Sequence, residues 1–342
     1  MDSITQAALG ATVAGAVAGK RCNGKVLLAG ALLGTLPDLD VLISYSDDVA
    51  NVVKHRGFSH SLLILLPFSL MLAWLIDRFR PIADWSFARL WTLIALALIT
   101  HPLLDYFTSY GTQLLWPISG YFSASSVFII DPLYTVPLLL ALVAGRVRPQ
   151  RASRWCVYGL LLSSLYLGWG LTAKQLIERR AQDSLAALGL PQASIFLTPT
   201  AFNTLLWRVV VLDDAHYWEG VASVLDRDQQ VRFVRQPLGH WPLAETPWQL
   251  EQLRTFANDF VSYRVEQDQL IVSDLRLGAF GHTYFQYEFA IQAGDGQWQM
   301  IEPILRQNDS IDVDLSQIKT RLLGDQSIGP WLETCQLCTW HD

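Results

Sequence analysis

The stretch "HRGFSHSLLILLPFSLMLAWLI", residues 55–76, decides how the chain is read. Two histidines, an arginine and two serines stand at its mouth, and the fifteen residues that follow carry no charge. A membrane helix needs about 20 mostly apolar residues, and Gly57 to Ile76 supplies them. Imidazoles beside such a segment are costly to desolvate without partners. The partners must come from elsewhere in the chain.

Working outward, the 342 residues are 51% hydrophobic and only 16% charged. A typical soluble domain carries about a quarter charged residues, so the deficit points to lipid. The net charge of −6 argues against a nucleic-acid partner, which needs a basic face. Four cysteines are too few for a disulfide framework. Charges are sparse to Ala173 and frequent from Lys174, which predicts an α-helical membrane domain over 1–174 and a soluble α+β domain over 175–342.

About six membrane segments are expected. Gly57 to Ile76, Ala88 to Phe107 and Trp155 to Ala173 are the clearest, and Val127 to Gly145 is apolar but for Asp131. Ser3 to Gly19 and Val26 to Pro37 are weaker, and each carries a GxxxG pair that favours close helix approach, Gly15 with Gly19 and Gly30 with Gly34. The loops after segments one, three and five hold ten basic residues, against Lys54 and Arg56 in the other two. The positive-inside rule then faces those three loops to the cytoplasm and both termini outward. The N-terminus begins with Asp2, and its first basic residue, Lys20, follows the apolar stretch, which is not the order of a cleavable signal peptide. In the soluble part, 205–214, 217–225 and 229–236 read as strands, 247–260 as a helix, and 263–276 and 283–303 as hairpins, the last turning at Gly294-Asp295-Gly296.

With that topology Asp38, Asp40, His55, His60, His101, Asp105 and Asp131 all fall on the outer face, as does Asp2. None of them set the orientation. His101 and Asp105 are i, i+4, about 40° apart on a helix, so both can reach one ion. His55 and His60 diverge by roughly 140° on one helix, so they cooperate only with His55 in the loop and His60 on the first turn, capped by Ser59. Pro37 predicts an irregular stretch that turns Asp38 and Asp40 inward, one of them supporting the other ligands. Imidazoles with carboxylates suit Zn²⁺, with Mn²⁺ or Fe²⁺ as alternatives and one to three ions. Each residue has a plainer reading: Asp38 as a turn residue, His101 as a helix-end donor, Asp2 as a terminal charge, Asp131 as a helix cap, Arg56 as a solvated charge. Taken singly these compete; convergence on one face favours metal. "CQLC" at 335–338 with His341 is half a metal site or a local disulfide, and His216, His240 and His282 share no spacing.

The stretches "MDSITQAALGA", "GTLPDLDVL", "HRGFSHSLL", "THPLLDYFTSYGTQLLWP" and "IIDPLYTVPLL" resemble a bacterial family of inner-membrane, metal-dependent hydrolases, the YdjM-like group. The resemblance covers most of the first 145 residues, and "LLWRVVVLDDAHYWEG" with "SDLRLG" is similar to a longer branch. It implies distant similarity to zinc-dependent phospholipase C, with His101 and Asp105 matching an H-x-x-x-D pair and Asp40, His55 and His60 matching other ligands. Where many shorter members have histidine this chain has Gln6, so no ligand is implied there.

The expectation is therefore an inner-membrane metal-dependent hydrolase of lipid or lipid-linked phosphoesters. Asp38, Asp40, His55, His60, His101 and Asp105 are the expected ligands, Asp131 the base or an extra ligand, and Arg56 the phosphate contact. The C-terminal domain is expected outside the membrane and over the site, with Arg276 as its contribution. A carrier would place its polar groups near the midplane and show internal symmetry. A metal-stabilised scaffold would show a closed ligand shell. A protease would need an HExxH helix or a serine triad, and neither is present.

Overall fold

The computed structural model describes residues 1–342 except 119, 295, 307–313 and 333–342. The stretch at 335–338 with His341 therefore lies outside the described residues. The chain divides into two compact units: Met1–Ser44, Lys54–Gly170 and Ala201–Asn203 form the first, and Tyr45–Val53, Leu171–Thr200 and Thr204–Asp342 the second. The boundary expected at 174/175 falls inside a single helix.

The first unit is helical. Helix α1 (Ser3–Ala18) starts at Asp2, whose carboxylate accepts from the backbone N–H groups of Ile4 and Thr5. Helix α2 (Gly24–Thr35) starts at Asn23 and runs into a 3₁₀ turn over Leu36–Leu42. Glycine lets these two helices touch backbone to backbone. A methyl group on Gly10 would sit 2.2 Å from the Gly30 carbonyl oxygen and 2.8 Å from Gly34 Cα. Of the two expected glycine pairs, Gly30 with Gly34 does this work. Gly19 instead ends α1 at φ +60.

Helix α3 (Asp48–Lys54) is followed by a 3₁₀ turn over Phe58–His60 and then by α4 (Leu62–Phe79). Helices α5 (Phe87–Asp105), α6 (Pro132–Val147) and α7 (Ala152–Ala187) complete the set. Among the described residues three helices are long and apolar enough to cross a membrane: Leu62–Phe79, Phe87–Asp105 and Pro149–Ala187. This corrects the expected six. Helix α2 has 12 residues, about 18 Å at 1.5 Å per residue, well short of a hydrocarbon core of roughly 30 Å. Helix α1 is 16 residues long and mostly buried within its own unit, and α6 begins only after Asp131 because Pro132 suits a first helical position.

The second unit carries two four-stranded antiparallel sheets. One runs in order from β1 (Ser194–Pro199) through β2 (Leu206–Leu212) and β3 (His216–Ser223) to β4 (Phe233–Pro237). Helix α8 (Trp248–Ala257) leads to β5 (Val261–Glu266) and β6 (Gln269–Asp274), and β7 (Gly278–Ala279) pairs with β8 (His282–Thr283). The second sheet is completed by β9 (Gln286–Gln292) and β10 (Trp298–Leu305), in the order β10-β9-β6-β5. Helix α9 (Leu315–Leu322) follows.

Strand β1 was not expected from sequence. It is recruited by the continuation of α7. Beyond Ala173 that helix becomes amphipathic, and Ala173, Ile177, Ala181 and Leu185, four apart, pack with Leu197 of β1 and Trp207, Val209 and Val211 of β2.

Candidate metal centre

Helix α5 places His101 and Asp105 on one face, one turn apart, and buries both completely. His60 closes the 3₁₀ turn before α4 and is equally buried. Asp38 comes from the 3₁₀ turn after α2 and keeps 21% of its side chain exposed. Each of these four residues offers one ligand atom, and the four atoms lie within 4.8 Å of one another. They can hold a metal ion.

The separations bear on the fit. His60 Nε2 is 3.1 Å from His101 Nε2, 3.4 Å from Asp38 Oδ1 and 3.3 Å from Asp105 Oδ2. His101 Nε2 is 3.2 Å from Asp38 Oδ1 and 3.5 Å from Asp105 Oδ2. Four donors held about 2.0–2.1 Å from a tetrahedral ion are roughly 3.3 Å apart, so five of the six edges match. The hydrogen bonds behind the rings fix which nitrogen is free. His101 Nδ1–H donates to the Gly34 carbonyl at 2.6 Å, and His60 Nδ1–H donates to Ser59 Oγ at 2.9 Å. Both protons are thereby assigned to Nδ1, and two Nε2 lone pairs face each other, an arrangement that a cation between them relieves.

The close approach of α1 and α2 is what brings Gly34 to His101. Asp40 works behind the donors. In a 3₁₀ turn residues two apart point about 120° away from each other, so Asp38 and Asp40 cannot face one point. Asp40 accepts from His55 Nδ1–H at 2.9 Å, from Ser59 Oγ–H at 2.7 Å and from the Arg56 backbone N–H at 3.0 Å. Burial opposes ionisation of Asp40, but the bonds from His55 and Ser59 and the charge of the neighbouring imidazoles outweigh it and hold the carboxyl below its ordinary range.

A model of the YdjM inner membrane protein family matches residues 1–177, just over half of the chain. The chain belongs to that family. All four donors lie within the matched region. Among similar proteins, "Uncharacterized protein YfhP" of Bacillus subtilis (strain 168) is 25% identical over 264 residues, covering 73% of this chain and 76% of its own. "Inner membrane protein YbcI" of Escherichia coli (strain K12) is 34% identical over 145 residues, covering 39% of this chain and 81% of its own. No solved structure matches. Membership of the YdjM family makes this an inner-membrane protein of the bacterial type.

The other expected site residues fall in different places. Asp40 and His55 bond to each other beside the four donors and are not among them. Ser59 does not cap α4; Ser61 does, accepting from the Leu63 N–H, and Ser59 links Asp40 to His60 instead. Asp131 caps α6, accepting from the Leu133 N–H and from the Tyr166 hydroxyl, and stands outside the donor group. Asp2 is likewise a cap. Arg276 is spent within its own unit, bidentate on Asp274 and stacked on Phe256.

Arg56 is a buried group of the centre rather than a solvated charge. Its backbone is left-handed at φ +60, its Nε lies 3.3 Å from Asp105 Oδ2, and its Nη1 donates to Thr108 Oγ1 at 3.1 Å. Its guanidinium covers the Tyr110 ring at 4.9 Å. Gln6 donates to Asp105 Oδ1 at 3.0 Å, and the Met1 amino group bonds the same oxygen. Three buried polar atoms here, Gln6 Oε1, Arg56 Nε and Asp105 Oδ2, have no hydrogen-bond partner. An amide side chain in a helix otherwise made of apolar residues and small hydroxyls is the signal that points to Gln6.

Proposed function

We propose that this protein is a membrane-embedded, metal-dependent hydrolase acting on phosphoester bonds of a lipid or lipid-linked substrate. The carrying observation is the His55–Asp40 pair standing directly behind the four donors. A divalent ion bound by Asp38, His60, His101 and Asp105 would supply Lewis acidity and an acidified water.

The chain's own groups supply the rest. Asp40 takes the Nδ1–H of His55, which leaves Nε2 to accept a proton, on a ring that is 22% exposed and edge-on to His60 at 5.9 Å. Arg56 balances the charge of Asp105 and carries the positive charge that a phosphate requires. Leu39, Val41 and Leu42, interleaved with the two aspartates of the 3₁₀ turn, are 53%, 66% and 78% exposed. Such apolar exposure suits contact with a bilayer, so a substrate reaching this site comes from lipid. The outward orientation expected from the basic loops rests on six crossings, and the three helices apolar enough to cross do not carry it.

The test uses purified full-length protein. Chelation is expected to abolish release of phosphate or phosphorylated headgroup from lipid phosphoesters, and zinc or manganese to restore it. His55→Ala should lower turnover by about 10²–10⁴-fold at unchanged metal content. Equal hydrolysis by metal-free protein would overturn the reading. A metal-tied scaffold is the second reading, favoured by the presence of four protein donors where a catalytic zinc usually has three. It predicts bound metal, no hydrolysis, and no effect of His55→Ala beyond stability.

A further inference from the structure

A cavity of about 380 Å³ opens within the helical unit between α1, α5, α6 and α7. Its volume falls within the roughly 300–1,000 Å³ of small-molecule sites. Leu9, Val13, Leu104 and Leu160 form apolar walls, and Tyr134 and Ser164 complete the lining. Two of the contributing helices, α5 and α7, are among those apolar enough to cross a membrane. We infer that this cavity takes one acyl chain of a glycerophospholipid, an inference that deepens the hydrolase reading and rests on it for the link to the metal centre.

Three observations select that occupant. The cavity lies next to the centre: Leu104, which lines it, precedes Asp105 on α5, and Met1, whose amino group bonds Asp105, packs in one apolar cluster with Leu9, Val13, Leu104 and Tyr134. The α5 wall from Leu96 to Leu104 is about 12 Å long, against roughly 15 Å of hydrocarbon in one leaflet. Tyr134 is only 3% exposed and lines the cavity, yet among the described residues its hydroxyl finds no acceptor. A hydroxyl in an apolar lining has few acceptors, and the ester carbonyl at the head of an acyl chain supplies one. An isoprenoid chain has no such group.

The experiment places full-length protein in vesicles of phosphatidylethanolamine and phosphatidylglycerol, containing a phosphatidylethanolamine with a diazirine on one acyl chain. After irradiation the labelled residues are mapped by mass spectrometry. Labelling is expected to concentrate on the cavity walls and to fall about tenfold in Ser164→Trp, which fills the cavity from an exposed position. Tyr134→Phe keeps the shape and should lower the preference for the acyl probe over a polyprenyl phosphate probe. Labelling no stronger at the cavity than at the exposed Leu70 and Trp74 of α4 would reduce the occupant to bulk lipid and overturn the inference. So would labelling by the polyprenyl probe alone. Concentrated labelling without phosphoester hydrolysis would sustain the acyl site while the hydrolase reading fell.

Discussion

Both units bury charge, and they treat it differently. In the C-terminal unit Arg208, Arg276 and Arg321 are buried and each meets a matching carboxylate. Arg208 Nε bonds Glu219 at 2.6 Å and its Nη1 bonds the Leu275 carbonyl. Arg321 holds Asp226 through bonds of 2.6 and 2.9 Å, with a third to the Val221 carbonyl. Arg276 holds Asp274 at 3.1 and 2.7 Å. In the helical unit two imidazoles and two carboxylates converge with their acceptor atoms facing inward, and Asp105 Oδ2 is left without a hydrogen bond. The first pattern is complete as folded; the second asks for a cation. Satisfied buried pairs hold a fold together, and unsatisfied convergence marks a site.

The largest expected effect breaks a satisfied pair. Arg321→Met should cost about 3–5 kcal/mol, measured by thermal unfolding in detergent, because Asp226 is left charged and buried. Adding Asp226→Leu should recover most of that loss. A double variant no better than the single one would show that the pair matters beyond its own charge.

Metal should act on the other unit alone. At a hundredfold excess over the dissociation constant, zinc or manganese should stabilise the wild type by about 2.7 kcal/mol, and Asp105→Ala should abolish that shift. Asp40→Asn sharpens the comparison further. With the donors intact but His55 and Ser59 less firmly held, metal affinity should drop by about 10–100-fold without vanishing. Unchanged affinity would remove Asp40 from the centre.

The smallest effect comes from a half-buried surface pair. The hydrogen bond from Arg306 holds Glu266 below its ordinary value of 4.5, against an opposing pull from burial. A carboxyl lowered in the folded state contributes stability in full above 4.5, and that contribution is lost as pH falls through the lowered value. Arg306→Ala should cost at most about 1 kcal/mol near neutrality. Its deficit relative to wild type should close on acidification.

How much of this is legible in the sequence depends on how local each relationship is. His101 and Asp105 can be paired by eye because helical i, i+4 spacing survives any packing. His60 and Asp38 are grouped with them through an alternation of six spans, of which three helices are apolar enough to cross. The division of labour between Asp38 and Asp40 is not, because it depends on the phase of a 3₁₀ turn that Pro37 hints at without fixing. Ser59 and Ser61 both look like caps, and only the turn over Phe58–His60 decides between them. Span lengths mislead for α1 and α2, since glycine-rich helices read as apolar whether they face lipid or another backbone. Buried pairs such as Arg321 with Asp226, 95 residues apart, leave no local trace.

The short segment Tyr45–Val53 belongs to the C-terminal unit, where Asp48 accepts from the Leu305 N–H, while the residues on either side of it belong to the helical unit. Asp40 and His55, joined at 2.9 Å, stand on the two sides of that excursion like the clasp of a loop. Truncation is the practical consequence. Ending the chain anywhere along α7 would not remove one module cleanly. It would leave nine residues of the lost unit strung between two halves of the metal centre, with Val49, Ala50 and Val53 stripped of the surroundings that bury them.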